Sequence, residues 1–220
     1  MGLGQMNGDI KGIKKNGDSG GSGSSIIAGG INEVIAVTFD SRGRANAAPI
    51  GIINRSGRSR LVLFRGTHTL ENVLENGIFC ANIVHDPVLY VKTAFEDIGS
   101  ENFAEDYAEN VADGEGCVQR FFRLKSAESF VLFKAVKTGE SAESCIFELN
   151  FLSEKVISAQ VHPFNRGFAA IIDATVHATR YVISRSAELK ELIDYDISIA
   201  KKCGGERENE AVSMLLEYIK

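Results

Sequence analysis

Three short clusters of residues could hold a ligand. The first cluster, Asn46–Gly51, has the sequence Asn-Ala-Ala-Pro-Ile-Gly and lies within a predicted strand. Small side chains in a strand let a flat ligand or a second backbone approach closely. Pro49 has no amide hydrogen, so it marks a strand edge or a bulge. The candidate contacts are Asn46, Ala47, Ala48, Pro49 and Ile50. A plain hairpin strand with a bulge is the alternative interpretation.

The second cluster, Arg-Gly-Thr-His-Thr, leaves a predicted strand and enters a predicted helix. The start of a helix presents unpaired N–H groups and partial positive charge. An arginine and two hydroxyl groups beside it would make a cradle for a phosphate group. The alternative is that Thr69 only caps the helix, with Asn72 as an imperfect capping-box partner. The candidate residues are Arg65, Gly66, Thr67, His68 and Thr69.

The third cluster is His-Pro-Phe-Asn-Arg-Gly, ending at Gly167. Asn165 is predicted to cap the following helix. Arg166 then lies in the first turn, where a cation opposes the helix dipole, so a carboxylate or a ligand phosphate should accompany it. Asn165 and Arg166 are therefore candidates for a ligand site or an interface. Further along, Asp173, His177 and Arg180 share one polar side of the helix, and a surface ion-pair row is the favoured interpretation of these three residues.

Catalytic and metal-binding motifs are missing from the sequence. There is no HExxH motif and no Walker loop. The four histidines lack the spacing of metal ligands, and the four cysteines form no CxxC pair, so no metal is expected. Any redox chemistry would have to come from a bound cofactor.

Hydrophobic periodicity predicts many short strands followed by a block of helices. Strands are predicted at 33–39, 45–53, 61–65, 78–85, 87–95, 129–136, 145–151 and 155–161. Helices are predicted at 70–76, from 167, at 186–202 and at 208–219. The acidic stretch 96–117 is predicted to be an exposed excursion. This order of elements indicates an α+β protein in which a β-barrel or sandwich carries helices.

Composition limits the possible classes of protein. The chain has 220 residues with 44% hydrophobic and 24% charged side chains, which suits one large globular domain. A net charge of −5 and no dense basic block argue against nucleic-acid binding. No apolar run is long enough to span a membrane, and the dispersed cysteines suit a reducing cytoplasm. The Gly/Ser-rich residues 1–30 are predicted to be a flexible tail.

Two stretches carry a resemblance to a known superfamily. VTFDSRGRANAAPIGI and LFRGTHTLENVLENGIFCANIVHD resemble the flavin reductase-like and pyridoxamine-phosphate-oxidase-like proteins, which are FMN-binding split barrels. PFNRGFAAIIDATVHATRY is similar to a smaller, mostly archaeal family of unknown function with the same barrel and a helical C-terminus. With that stretch, the resemblance covers roughly residues 31–220.

The resemblance implies an antiparallel, Greek-key-like split barrel at 31–165 and a helical extension packed on it at 166–220. It implies a homodimer with FMN at the subunit interface. The flavin ring would lie along Asn46, Ala47 and Ala48. The phosphate would be held by Arg65, Thr67 and Thr69, and Asn72 and Asn82 would support the site.

The reaction is left open by the resemblance. An oxidoreductase of flavin reductase-like type, acting on a small molecule, is the leading hypothesis. A non-enzymatic flavin protein for storage, delivery or sensing is the alternative, as is a split barrel that holds haem or a deazaflavin. No residues identify a nicotinamide donor, so neither electron donor nor acceptor is predicted.

Overall fold

The computed structural model describes residues 23–110 and 117–220. Its centre is a six-stranded antiparallel barrel with the strand order β1-β2-β3-β8-β7-β4, closed between β4 and β1. The strands are β1 (Gly30–Phe39), β2 (Ala45–Arg55), β3 (Arg58–Phe64), β4 (Ile78–Ile83), β5 (Phe103–Asn110), β6 (Cys117–Leu124), β7 (Ser129–Glu140) and β8 (Ser144–Val156). The predicted α+β split barrel is confirmed.

Side-chain alternation in the strands builds two cores. Val34 and Ala36 of β1 point into the barrel, where they join a cluster that includes Phe147. Ile35 and Val37 point outward and pack in a second cluster with the β5–β6 hairpin and helix α2 (Pro87–Phe95). A strand that is buried on both faces has a continuous run of apolar residues in its sequence, and β1 has such a run.

The barrel is split between β2 and β3. β2 pairs with β1 over its whole length from Ala45, whereas it pairs with β3 only at Ile53–Arg55. Within the described parts of the chain, residues 45–52 of β2 therefore have a hydrogen-bonded neighbouring strand on one side only. The other side is an open strand edge.

The segment Pro87–Phe95 was predicted to be a strand, and that prediction is wrong because the segment forms α2. The Asp86 carboxylate accepts hydrogen bonds from the N–H groups of Val88 and Leu89, and Pro87 occupies the first helical turn. Proline is tolerated at the start of a strand and favoured in the first turn of a helix. Pro87 alone therefore does not distinguish a strand from a helix.

Three further predictions need correction. The acidic stretch 96–117 was expected to be an exposed excursion, yet it contains the whole of β5, which pairs with β6 in a separate hairpin. Residues 111–116 of that stretch lie outside the described residues. The strands predicted at 145–151 and 155–161 are one strand, β8, which ends at Val156. A bulge near Lys137 and Gly139 lets β7 continue to Glu140, four residues beyond the end of the strand predicted at 129–136.

The helices after residue 165 agree with prediction. They are α3 (Arg166–Ser184), α4 (Ala187–Cys203) and α5 (Glu206–Tyr218). A third core, which includes Ile171, Ile193 and Leu215, joins them to each other and to α2. Helix α1 (His68–Asn76) covers one end of the barrel through Leu70 and Val73. No helix in the described ranges is long and apolar enough to cross a membrane.

The segment 24–27 contacts the barrel, although the sequence placed it within a flexible tail. The Glu154 carboxylate accepts hydrogen bonds from the Ser24 hydroxyl (2.6 Å) and the Ser25 N–H (3.1 Å). Ile27 is buried in the barrel core, and its carbonyl accepts from the Asn54 amide at 3.1 Å. The apolar pair at 26–27 explains the difference, since burying it offsets the ordering entropy. Residues 1–22 of the predicted tail lie outside the described residues.

Candidate functional site

Helix α1 brings the first two clusters together at one end of the barrel. The Asn46 side-chain amide on β2 lies 3.5 Å from the Thr69 hydroxyl in the first turn of α1. Between these elements and the β5–β6 hairpin is a cleft of about 820 Å³. It is lined by Asp40, Gly43, Arg44, Ala45, Asn46, His68, Glu71, Asn72, Glu75, Asp97, Ser100, Phe103, Glu105 and Phe122.

The start of α1 is capped by Thr67. The Thr67 hydroxyl donates to the Phe64 carbonyl (2.9 Å) and accepts from the Leu70 N–H (3.3 Å). The prediction that Thr69 is the cap is wrong, because Thr69 is buried inside the first turn. Gly66 has φ +79°, and a methyl group added there would meet no atom within 4 Å. The turn before the helix is therefore open to an approaching group.

Arg65 lies beside this turn and contacts the loop between β7 and β8. Its Nη2 is 2.9 Å from Glu140 Oε2, and its Nε donates to the Ser141 carbonyl at 3.4 Å. Lys137 Nζ is 2.8 Å from the same Glu140 oxygen. Hydrogen bonds from Lys137 and Arg65 hold the pKa of the Glu140 carboxyl below its usual value. Two cations thus share one carboxylate oxygen, and one of them, Arg65, lies two residues before the cap of α1.

Asn72 and Asn82 have structural partners. The Asn72 amide donates to the Thr38 hydroxyl at 3.1 Å, and both side chains are buried, which anchors α1 on the barrel. Asn82 is 0% exposed, donates to the carbonyls of Ile35 and Cys80, and accepts from the Leu124 N–H at 2.9 Å. Asn82 therefore joins β1, β4 and β6, at a depth where a surface ligand does not reach it.

The remaining residues of the first cluster differ in burial. Ala47 is buried in the outer core, while Ala48, Pro49 and Ile50 are half-buried along the open edge of β2. The small side chains of Ala47 and Ala48 leave the backbone of this part of β2 accessible to a flat group.

The third cluster lies apart from the other two within one chain. Asn165 caps α3 as predicted, accepting from the Gly167 N–H at 2.8 Å, and its amide donates to Glu208 at 3.0 Å. Arg166 is exposed, does not line the cleft, and has no ion-pair partner among the described residues. On the same helix, His177 Nε2 lies 3.8 Å from Asp196 on α4, so that side of α3 faces its neighbour.

The charge of the cleft differs from that of the neighbouring turn. Five carboxylates line the cleft, of which Asp40 pairs with Arg44 at 2.7 Å and Asp97 lies 3.6 Å from His68. Arg65 and Lys137 do not line it. An anionic group should therefore bind at the turn before α1 and not in the cleft. No three His, Cys, Asp or Glu residues in the described ranges are arranged to hold a metal ion.

Lys137 and Glu140 were not found from the sequence. They are separated from Arg65 by more than seventy positions, and no motif surrounds them. The pairing of β3 with β8, at Phe64 and Ser144, brings the β7–β8 turn next to Arg65. The Arg65 N–H donates to the Glu143 carbonyl at 2.9 Å and fixes that approach.

Comparison with known proteins places the chain in a family. The N-terminal model of the family described as protein of unknown function DUF447 matches residues 32–158, and the C-terminal model matches residues 165–217. The uncharacterized protein MJ1453 of Methanocaldococcus jannaschii is 25% identical over 206 residues, which span 86% of this chain and 98% of the relative.

A solved structure supports the same assignment. The structure described as FMN-bound protein MM1853 from Methanosarcina mazei, of the DUF447 family, shares 36% identity and superposes with a TM-score of 0.76. The match covers 87% of this chain and 96% of that one. This chain belongs to the DUF447 family.

Proposed function

We propose that this chain binds FMN and is a flavoprotein of flavin reductase-like type. One observation supports this most directly: an open strand edge with small side chains lies beside a cationic turn at the start of a helix. The Asn46–Thr69 contact at 3.5 Å joins the two parts. The relative MM1853, which is FMN-bound, supports the same ligand.

The turn before α1 would hold the phosphate. The Arg65 guanidinium supplies a charge-assisted donor, and the first N–H groups of α1, at His68 and Thr69, have no acceptor within the helix. Thr67 keeps that turn in shape through its two hydrogen bonds. The helix dipole adds a favourable field for an anion.

The edge of β2 would lie along the ring, with Ala47 and Ala48 admitting it closely and backbone groups of residues 46–50 hydrogen-bonding its edge. FMN supplies electron and hydride transfer when bound. The chain's own residues bind and orient the ligand and exclude water from one side of it.

We propose a small-molecule redox partner that reaches the site through the cleft. The acidic lining of the cleft disfavours the pyrophosphate of a nicotinamide dinucleotide. The same observation favours the second candidate function, a flavin protein for storage, delivery or sensing that has no nicotinamide donor.

A homodimer in the cytoplasm, with FMN at the subunit interface, completes the proposal. Val161 is 95% exposed and Phe164 is 86% exposed, next to the exposed Arg166. Grouped apolar side chains of this kind are typical of interaction surfaces. The buried free thiols of Cys80 and Cys145 suit a reducing compartment.

Two measurements test the proposed function. The purified chain should be yellow, and FMN should be released from it on denaturation. Oxidation of NADH or NADPH by the loaded protein then separates a flavin reductase from a protein that only carries flavin. A colourless chain that takes up no added FMN would rule out both.

A further inference from the structure

One oxygen of the Glu140 carboxylate is shared by two cations at the turn before α1. Arg65 Nη2 lies 2.9 Å from Glu140 Oε2, and Lys137 Nζ lies 2.8 Å from it. The carboxylate thus stands where an oxygen of a bound anion would satisfy both cations. Glu140 is the last residue of β7 and pairs with Arg65, the residue that precedes Gly66 in the chain.

The three side chains are not locked in place by burial. The exposed fractions are 48% for Arg65, 53% for Glu140 and 38% for Lys137. Ion pairs this exposed are weak, because water screens them and the long side chains lose entropy when fixed. Replacing one anion by another at this place therefore costs little.

We propose that Glu140 occupies the phosphate subsite as an internal anion, and that the phosphate of FMN displaces it and takes over Arg65 and Lys137. This inference rests on the proposed function and adds two residues to it. Lys137 becomes a phosphate ligand, and Glu140 becomes a competitor that lowers the affinity for FMN.

Charge favours displacement of the Glu140 carboxylate by the phosphate over binding of both anions at the same place. A phosphate monoester carries close to two negative charges and three acceptor oxygens. Two cations and the partial charge of a helix start balance it, whereas a retained Glu140 would place a further negative charge against it. The bulge between Lys137 and Gly139 gives the end of β7 freedom to turn the carboxylate away.

The test compares two ligands that differ only in the phosphate, FMN and riboflavin, by quenching of flavin fluorescence. Glu140→Gln should tighten FMN binding roughly 3- to 10-fold and leave riboflavin binding unchanged. Lys137→Met should weaken FMN binding by a similar factor, again without effect on riboflavin. Glu143→Gln is the matched control, since it removes the same charge from the same turn and should change neither affinity.

Two results would overturn the inference. Weaker or unchanged FMN binding in Glu140→Gln would mean that Glu140 orients Arg65 or is irrelevant. An equal gain for riboflavin would mean that the phosphate is not involved.

A wild-type chain that binds neither flavin would instead contradict the proposed function. Inorganic phosphate then decides the inference, because it should raise the melting temperature of Glu140→Gln more than that of the wild type. An equal rise in both proteins would contradict the displacement.

Discussion

Arg65 is the residue on which the proposed phosphate site depends most. Its guanidinium is half-exposed and divided between Glu140 and the Ser141 carbonyl, so it is already held in place against the loop between β7 and β8. A charge-assisted hydrogen bond to phosphate contributes about 1.5–3 kcal/mol when buried and less at this exposure.

Arg65→Ala should lower the affinity for FMN roughly tenfold. Arg58→Ala is the control, because Arg58 lies at the β2–β3 turn, at the other end of β3 from Arg65, and should have no effect. Titration of both purified variants with FMN measures the difference. A folded Arg65→Ala variant with unchanged affinity would contradict the phosphate assignment.

Thr67→Ala should destabilise the protein by about 1 kcal/mol, the usual cost of removing a helix cap. Thr67→Ser keeps the hydroxyl and should be close to the wild type. Urea unfolding followed by circular dichroism measures both. Equal stability of the two variants would show that the cap contributes nothing to α1.

Candidate site residues that follow one another in the chain could be predicted from the sequence, and candidates far apart in the chain could not. Arg65 to Thr69 could be proposed as a phosphate site because a strand end, a glycine and a helix start follow one another in the chain. Lys137 and Glu140 were missed because only strand pairing brings them near. Asn82 was placed in the site by resemblance, yet all its amide hydrogen bonds are made inside the fold.

At the scale of secondary-structure elements, β2 leaves one strand edge of the barrel open, and the segment before β1 contacts β8. β2 leaves β3 after three paired residues and so exposes an edge. At the other end, the segment 24–27 is tied to β8 by Glu154. Although burial raises it, hydrogen bonds from Ser24 and Ser25 hold the pKa of Glu154 below its usual value of 4.5.

The Glu154 contacts should stabilise the fold at neutral pH and fail in acid. Because the pKa is lower in the folded state, the stabilisation is present above the unfolded pKa and is lost as pH falls through the folded value. Glu154→Gln should therefore melt below the wild type at about pH 7, and the gap should close at about pH 3. A gap that stays constant across this range would contradict the role of the charge.

Helices and strands could be told apart from the sequence where the spacing of apolar residues was regular over a long segment. The helices after Gly167 and most barrel strands follow their apolar spacing. Pro87–Phe95 was assigned wrongly because an apolar run of nine residues fits a strand or a helix, and only the Asp86 cap decides it. The β5–β6 hairpin was missed because the acidic side chains of β5 hide the buried position of Phe103.

For the whole molecule, the α+β class could be predicted from the order of strands and helices and the split barrel from the resemblance, whereas the closure between β4 and β1 could not be predicted. That closure depends on contacts between positions far apart in the chain, such as Ile35 with Asn82. The place of the third cluster also depends on assembly. Asn165 and Arg166 do not reach the cleft of their own chain, so a role at the site would require a second subunit.

Phe164→Asp should convert the proposed dimer to a monomer and weaken FMN binding, because a charge replaces an apolar side chain at the interface. Ile183→Asp is a matched control, since both side chains are 86% exposed. Sizing chromatography and FMN titration should separate the two variants. If both variants remain dimers with normal FMN affinity, the segment 161–166 is not part of the interface.

The most direct test of FMN binding is to purify the chain, denature it and identify what it releases. We predict a yellow protein that releases FMN in a ratio of about one per chain, and an apoprotein that takes FMN up again in preference to riboflavin. A chain that is colourless as purified, releases no flavin and quenches the fluorescence of neither ligand would contradict the central claim.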